Sequence, residues 1–254
     1  MLTLHKRDDV FSLRHVPSWL MLCFAAGAIN STALLTCERF VTHVTGTVTR
    51  LGMEVMRLNI LLDFALVVAS FVLGSMLSGL LLNGRALRGK RPYFSLPLWI
   101  AASITVAVGL AGHAGWFGPV GGAVDQPLDF VLLCSLSFAM GLQNAAVATS
   151  TGMLVRTTHL TGPATDLGVH LAELVWGEAE QRELAKRHAA LRIGKILAYA
   201  AGAASAVPLV RQSGFLALLM PAAVIAAATL VSFVRPAADT LRTQRASARV
   251  PENA

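Results

Sequence analysis

Charged residues in this chain bracket six long runs that contain none: 15–37, 64–84, 92–124, 130–155, 196–210 and 212–234. A helix that crosses the hydrocarbon of a bilayer needs roughly 20 mostly apolar residues, so five of the runs suffice as they stand. The run 196–210 is short, but Arg192 and Lys195 precede it by about one turn. Their alkyl stems can lie along a helix while the charges snorkel to the interface, which extends the span back to Ala189. Only 14% of the 254 residues are charged, against about 25% in soluble domains. The predicted fold is an all-α polytopic membrane protein with six transmembrane helices, near 17–36, 60–83, 94–116, 128–150, 189–210 and 215–234. Six spans use up the length and leave no room for a soluble catalytic domain.

The spans fall into two sets of three, because a ten-residue phrase is written twice. His43-Val44-Thr45-Gly46-Thr47-Val48-Thr49-Arg50-Leu51-Gly52 returns 116 positions later as His159-Leu160-Thr161-Gly162-Pro163-Ala164-Thr165-Asp166-Leu167-Gly168, with six of ten positions identical. Each copy follows an apolar run that carries a Gly and an Asn: Gly27-Ala28-Ile29-Asn30 and Gly141-Leu142-Gln143-Asn144. An odd number of spans per half starts the second half on the opposite side of the membrane, so the sequence predicts two inverted three-helix repeats. The motif segments, 43–57 and 160–176, are too polar and short to cross, and are expected to dip in as re-entrant Thr-Gly segments or to lie at the surface. The expected organisation is a cytoplasmic leader (1–16), a first repeat (17–117), an external linker (118–127), a second repeat (128–235) and a disordered cytoplasmic tail (236–254). The second repeat also holds a cytoplasmic helix, 177–188, without counterpart in the first half, where Glu178–Arg182 and Glu183–Arg187 pair at i,i+4.

The net charge of +7 is a topology signal and does not point to nucleic acid. With both termini inside, the cytoplasmic segments hold 17 of the 21 Lys and Arg, and the other side keeps Arg39, Arg50, Arg57 and Arg211. The expected location is a membrane, with both termini on its cytoplasmic side. Lys6, Arg7, Arg14 and Ala26-Gly27-Ala28 around the first span resemble a signal peptide, but cleavage there would cut beside Asn30 and divide a segment that has a counterpart. Cys23, Cys37 and Cys134 form no Cys-x-x-Cys pair and read as small buried hydrophobes, so no disulfide framework or metal site is expected.

Asn30, Thr45-Gly46, the string Ala139-Met140-Gly141-Leu142-Gln143-Asn144-Ala145, the string Val155-Arg156-Thr157-Thr158-His159-Leu160-Thr161-Gly162 and Asp166-Leu167-Gly168 resemble the YoaK family, bacterial integral membrane proteins with a domain of unknown function. The resemblance covers roughly 17–235. The family's first motif commonly reads Thr-Gly-Asn, and here Thr47 stands in the Asn position. The resemblance implies a location in the bacterial inner membrane and supplies no reaction or substrate.

Thr45-Gly46 and Thr161-Gly162 fit helix N-termini, with Thr45 or Thr161 as N-cap and Pro163 in the first turn. A helix that starts in a low-dielectric region aims unpaired N–H groups at an anion or carbonyl; the alternative is that each Thr-Gly only caps its segment. In inverted repeats the two starts would meet near the midplane, where Thr49 and Thr165 would line one polar cavity with Asn30 and Asn144. Asn30, Gln143 and Asn144 are amides within apolar spans, which either bind a solute or tie the spans to the motif backbone. Arg50 and Asp166 share a motif position with opposite charge, either a salt bridge across the repeat axis or two charges that never meet. His43 and His159 suit proton relay, and His113 reads as interfacial. Gly74 and Ser78, echoed by Gly202 and Ala206, predict that the helices at 60–83 and 189–210 form the central packing pair.

No catalytic triad, paired carboxylates, P-loop or dinucleotide fingerprint is visible, so no enzyme and no cofactor is expected. The leading functional expectation is a small-solute or ion transporter with a site between the repeats. A membrane scaffold or assembly partner, and a membrane-embedded enzyme, stay open as alternatives. The expected partners are the bilayer and a small solute or ion, with a homo-oligomer left open.

Overall fold

The uncharged runs become helices, the one open structure that satisfies every backbone N–H and C=O within a single apolar segment. The computed structural model describes residues 4–5, 9–53, 56, 58–121 and 127–234, and among them every regular element is helical. Helix α1 (Val16–Cys37) carries Pro17 in its first turn, where a missing N–H costs nothing. It ends on Glu38, left-handed at φ 53°, whose N–H closes onto the Leu34 carbonyl. Then follow α2 (Val44–Met53) and α3 (Leu58–Gly79). A π-helical turn (Leu80–Gly84) and the short α4 (Arg85–Leu87) lengthen the α3 rod. The chain continues through α5 (Leu96–His113), α6 (Pro127–Ser150), α7 (Thr161–Trp176), α8 (Ala179–Ser213), a 3-10 turn (Gly214–Leu218) and α9 (Leu219–Ser232).

Five helical stretches are long and apolar enough to cross a membrane: Val16–Cys37, Phe64–Leu87, Leu96–His113, Leu128–Ser150 and Ala179–Ser232. The last is 54 residues long and contains both α8 and α9, which part at Gly214. The expected separate helix at 177–188 merges with the following span into the 35-residue α8. A capping box between Glu178 and Gln181 starts it. Strong helix formers then run on without a proline until Pro208, so nothing stops propagation at 188. Part of the leader is built into the core. Leu4 and His5 donate to the Ser150 carbonyl at 3.1 Å, and buried Val10 accepts the Trp19 indole N–H at 3.0 Å. The expected disordered tail, 236–254, lies outside the described residues, as does 122–126 of the expected linker.

Contacts along the rods give their directions. Leu20 lies by Gly194 and Phe24 by Gly202, so α8 runs parallel to α1. Gln143 reaches the Leu22 carbonyl while Ser150 holds the leader ahead of α1, so α6 runs antiparallel to α1. Helix α3 follows α6, through Val67 to Ser137 and Phe71 to Gly141. Helix α9 descends beside α1 and ends where Ser232 donates to Ser18 at 2.7 Å. Partners exchange between the halves: α1 packs on α8 as α6 packs on α3, α2 on α3 as α7 on α8, and α1 on α9 as α6 on α5.

Glycines set the two closest crossings. A Cβ on Gly27 would collide with the Tyr199 carbonyl, and one on Gly202 with the Phe24 carbonyl. In the other crossing Gly141 meets the Phe71 carbonyl, and Gly74 the Phe138 carbonyl. Backbone rests on backbone at all four, which only a missing side chain allows. The expected pairing of the helices bearing Gly74 and Gly202 is therefore corrected, since each packs on a glycine of the other half. Small residues permit close approach without specifying the partner. The core includes the fully buried side chains of Trp19, Leu22, Ile29, Leu98, Leu132, Leu136, Met140 and Leu142.

Candidate functional site

Each half turns back into the fold after its first helix, and an asparagine clasps the returning chain. Asn30 sits seven residues short of the α1 end, about 10 Å inside it. Its Oδ1 accepts the N–H groups of Val41 (3.1 Å) and Thr42 (3.0 Å). Asn144, six residues before the α6 end, likewise accepts Thr157 (2.9 Å) and Thr158 (3.3 Å). The second return passes through Gly152 and Met153, both at positive φ. Buried Gln143 adds a tie, donating to the Leu22 carbonyl and the Thr157 hydroxyl, both at 3.0 Å.

The His-x-Thr-Gly phrase then seats a ring on a helix start. A Cβ on Gly46 would stand 2.5 Å from His43 Nδ1, and one on Gly162 would stand 2.8 Å from His159 Cε1. Each imidazole occupies the space a side chain would need, so histidine and glycine form one unit. Helix α2 begins at Val44 and α7 at Thr161. The expected side-chain caps are corrected. The His43 carbonyl accepts the Thr47 N–H (3.0 Å), the Leu160 carbonyl accepts the Ala164 N–H (2.9 Å), and Leu160, with no side-chain cap bond, is the α7 N-cap. Thr45 and Thr161, both exposed, face an open space ahead of the helices.

That space is a cavity of about 590 Å³. Its wall is built from equivalent residues of both halves: Asn30 with Asn144, Thr42 with Thr158, His43 with His159, and Thr45 with Thr161. Phe71 faces Tyr199, whose hydroxyl lies 3.1 Å from Thr42 Oγ1, and Phe40 is matched by Arg156. A second cavity, about 270 Å³ and mostly apolar, opens beside the first motif only, among Leu34, Phe40, Phe64, Phe130 and Leu133.

The residues singled out from sequence divide accordingly. Asn30, Asn144, Thr45 and Thr161 line the shared cavity, while Gly46 and Gly162 lie behind it under the imidazoles. Thr49 and Thr165 do not line it: both are exposed and donate back to the carbonyls of Thr45 (2.9 Å) and Thr161 (3.1 Å). Arg50 and Asp166 do not pair. Arg50 borders the smaller cavity, whereas Asp166 meets Arg192 at 3.2 Å. The snorkelling expected of Arg192 and Lys195 is also corrected. Arg192 turns inward to Asp166 and to the Leu154 carbonyl (3.1 Å), and Lys195 is 1% exposed. Helices α1 and α7 both pack on α8, with Asp166 of α7 on Arg192 and Cys23 of α1 within electrostatic reach of Lys195. Sequence reasoning passed over Arg156, which it counted among the topology charges, and Tyr199, which no motif marks.

Electrostatics separate the halves. The imidazole of His159 is held below its ordinary pKa, first by desolvation and then by the positive charges of Arg156 and Lys195, with Asp166 acting against them. Three cations and one carboxylate surround the α7 start. At the equivalent positions of the first half stand Phe40, Phe64 and Val67, for Arg156, Arg192 and Lys195 respectively. Among the described residues no group of three or more His, Cys, Asp or Glu could hold a metal ion.

The sequence profile of the family described as Protein of unknown function (DUF1275) matches residues 18–231, and the chain belongs to that family. The match spans the stretch over which the motifs resemble the YoaK family. No curated protein and no solved structure matches.

Proposed function

We propose that this DUF1275 protein lies in the bacterial inner membrane with six spans and both termini cytoplasmic, and carries a small solute or ion through the cavity between two inverted repeats. The observation that carries the reading is the cavity itself, lined by matched residues from both halves and faced by two helix starts. The exchanged partners and opposed directions of α1 and α6 support the inverted arrangement. A sixth span is supported by length. The 3-10 turn and α9 together rise about 31 Å, close to the roughly 30 Å of a bilayer's hydrocarbon. Two segments that return into the fold from opposite ends and stop at one cavity are the discontinuous elements on which transporters of this architecture build midplane sites.

Single cysteines at Val44 and Leu160, on a cysteine-free background in spheroplasts, test the reading with a membrane-impermeant maleimide. Alternating access predicts that both label, with side preferences that shift together when transport is driven. A cavity that labels from neither side points to the scaffold instead. The same method should place Arg88 and Trp116 on opposite sides of the membrane.

A further inference from the structure

Resting on the reading of the cavity as a solute site, we propose that its occupant is a small organic anion. Its oxyanion group is held by Arg156, and its apolar body lies against Phe40, Phe71 and Tyr199. Among the lining residues Arg156 alone carries a formal charge at neutral pH, and no carboxylate is present. Arg156 makes no hydrogen bond or ion pair with another described residue, so its five donors are free for a ligand. Behind the wall, Lys195 is 1% exposed and also has no hydrogen-bond or ion-pair partner among the described residues. It lies within electrostatic reach of Arg156 and His159. The lone carboxylate nearby, Asp166, is taken by Arg192. The starts of α2 and α7 add partial positive charge to the same space.

Charge and shape together narrow the class. A cation would meet one guanidinium, one buried ammonium and two helix starts with no counter-charge. A neutral solute seated there would cover the Arg156 guanidinium without pairing it, which is costly. An inorganic anion would satisfy Arg156 but leave most of a cavity of about 590 Å³ unfilled, including its aromatic side. The asymmetry between the halves orients the ligand. Its oxyanion group faces the second repeat, where Arg156 stands, and its apolar end faces the first, where Phe40 takes the equivalent place.

The test uses the full chain in lipid nanodiscs, with calorimetric titration of benzoate, benzamide, benzylamine and inorganic phosphate at neutral pH. Benzoate should bind saturably, and each of the other three at least about tenfold more weakly. Arg156→Gln should bring benzoate down to the level of benzamide, and Arg156→Lys, which keeps the charge and loses the fork, should fall between. If Arg156→Gln does not fold, an unchanged benzoate affinity in a normally melting Arg156→Lys overturns the assignment of the residue. Benzamide or benzylamine binding as well as benzoate overturns the anion and leaves the solute site standing. Phosphate binding more tightly than benzoate overturns the organic class. Failure of all four probes overturns the proposal, and cysteine labelling at Val44 and Leu160 then decides whether the solute site falls with it.

Discussion

The two halves of this chain are alike where backbone meets backbone and unlike where charge meets the interior. Asn30 and Asn144 clasp returning chains, His43 and His159 sit on glycines, and Gly27 with Gly202 repeats the crossing of Gly141 with Gly74. Beside these shared devices, Phe64 and Val67 in one half stand where Arg192 and Lys195 stand in the other. The shared positions are those at which another side chain would collide or leave a buried N–H without an acceptor. Scaffold is thus held in common, while the buried cations Arg192 and Lys195 belong to the second half alone.

The largest effects should come from the crossings. Gly27→Leu or Gly202→Leu drives a side chain into a backbone carbonyl that cannot step aside, and should cost about 3 kcal/mol or more. Gly74→Leu and Gly141→Leu should match them in thermal melting in detergent. If one crossing tolerates leucine, the likeness of the two frames ends there. Next come the clasps. Asn30→Ala leaves two N–H groups without acceptors, at roughly 1–3 kcal/mol for each that is buried. Asn144→Ala should cost less, because Asn144 is half-buried and one of its bonds is longer. Equal losses would contradict the difference in burial.

Smaller again is the charge comparison. Asp166→Asn strips Arg192 of its partner. Because Asp166 is itself 48% exposed, water screens the pair and the loss should be about 1 kcal/mol. Arg50→Gln at the equivalent position should change melting by no more than about 0.5 kcal/mol. A larger penalty at Arg50 would mean that the first half also depends on its charge. The weakest effect is that of pH. Because folding holds the His159 pKa below its ordinary value, the neutral ring is the form that the fold favours. That contribution is complete above the unfolded value of about 6.5 and is lost as pH falls through the folded value. Melting temperature should therefore decline as pH drops below neutrality, and His159→Gln should remove part of the slope. A variant as pH-sensitive as the parent would place the titration elsewhere.

Local features of this molecule were legible in the sequence, and distant pairings were not. The twofold phrase, the helix starts at both Thr-Gly positions and the amides at Asn30 and Asn144 could be read directly, because motif and geometry share the same few residues. The partner of Gly74 could not, since a small face records how near a neighbour comes and not which neighbour it is. Lys195 resembled a snorkelling lysine because the helices packed on α8 are invisible to a count of apolar residues. Tyr199 carries no local signature, and its place in the cavity follows from the α1–α8 crossing.

Helix α8 also has a mechanical consequence. At 35 residues it is about 52 Å long, well beyond the thickness of a bilayer's hydrocarbon. Its tightest hold is the crossing at Gly202, close to Tyr199 on the cavity wall. From that fulcrum the arm toward Ala179 is about 35 Å and the arm toward Ser213 about 16 Å. A small tilt of α8 about Gly202 therefore swings its first turns roughly twice as far as its last. The exposed stretch around Glu180, Glu183 and Arg187 is the far end of a lever whose fulcrum lies beside the cavity.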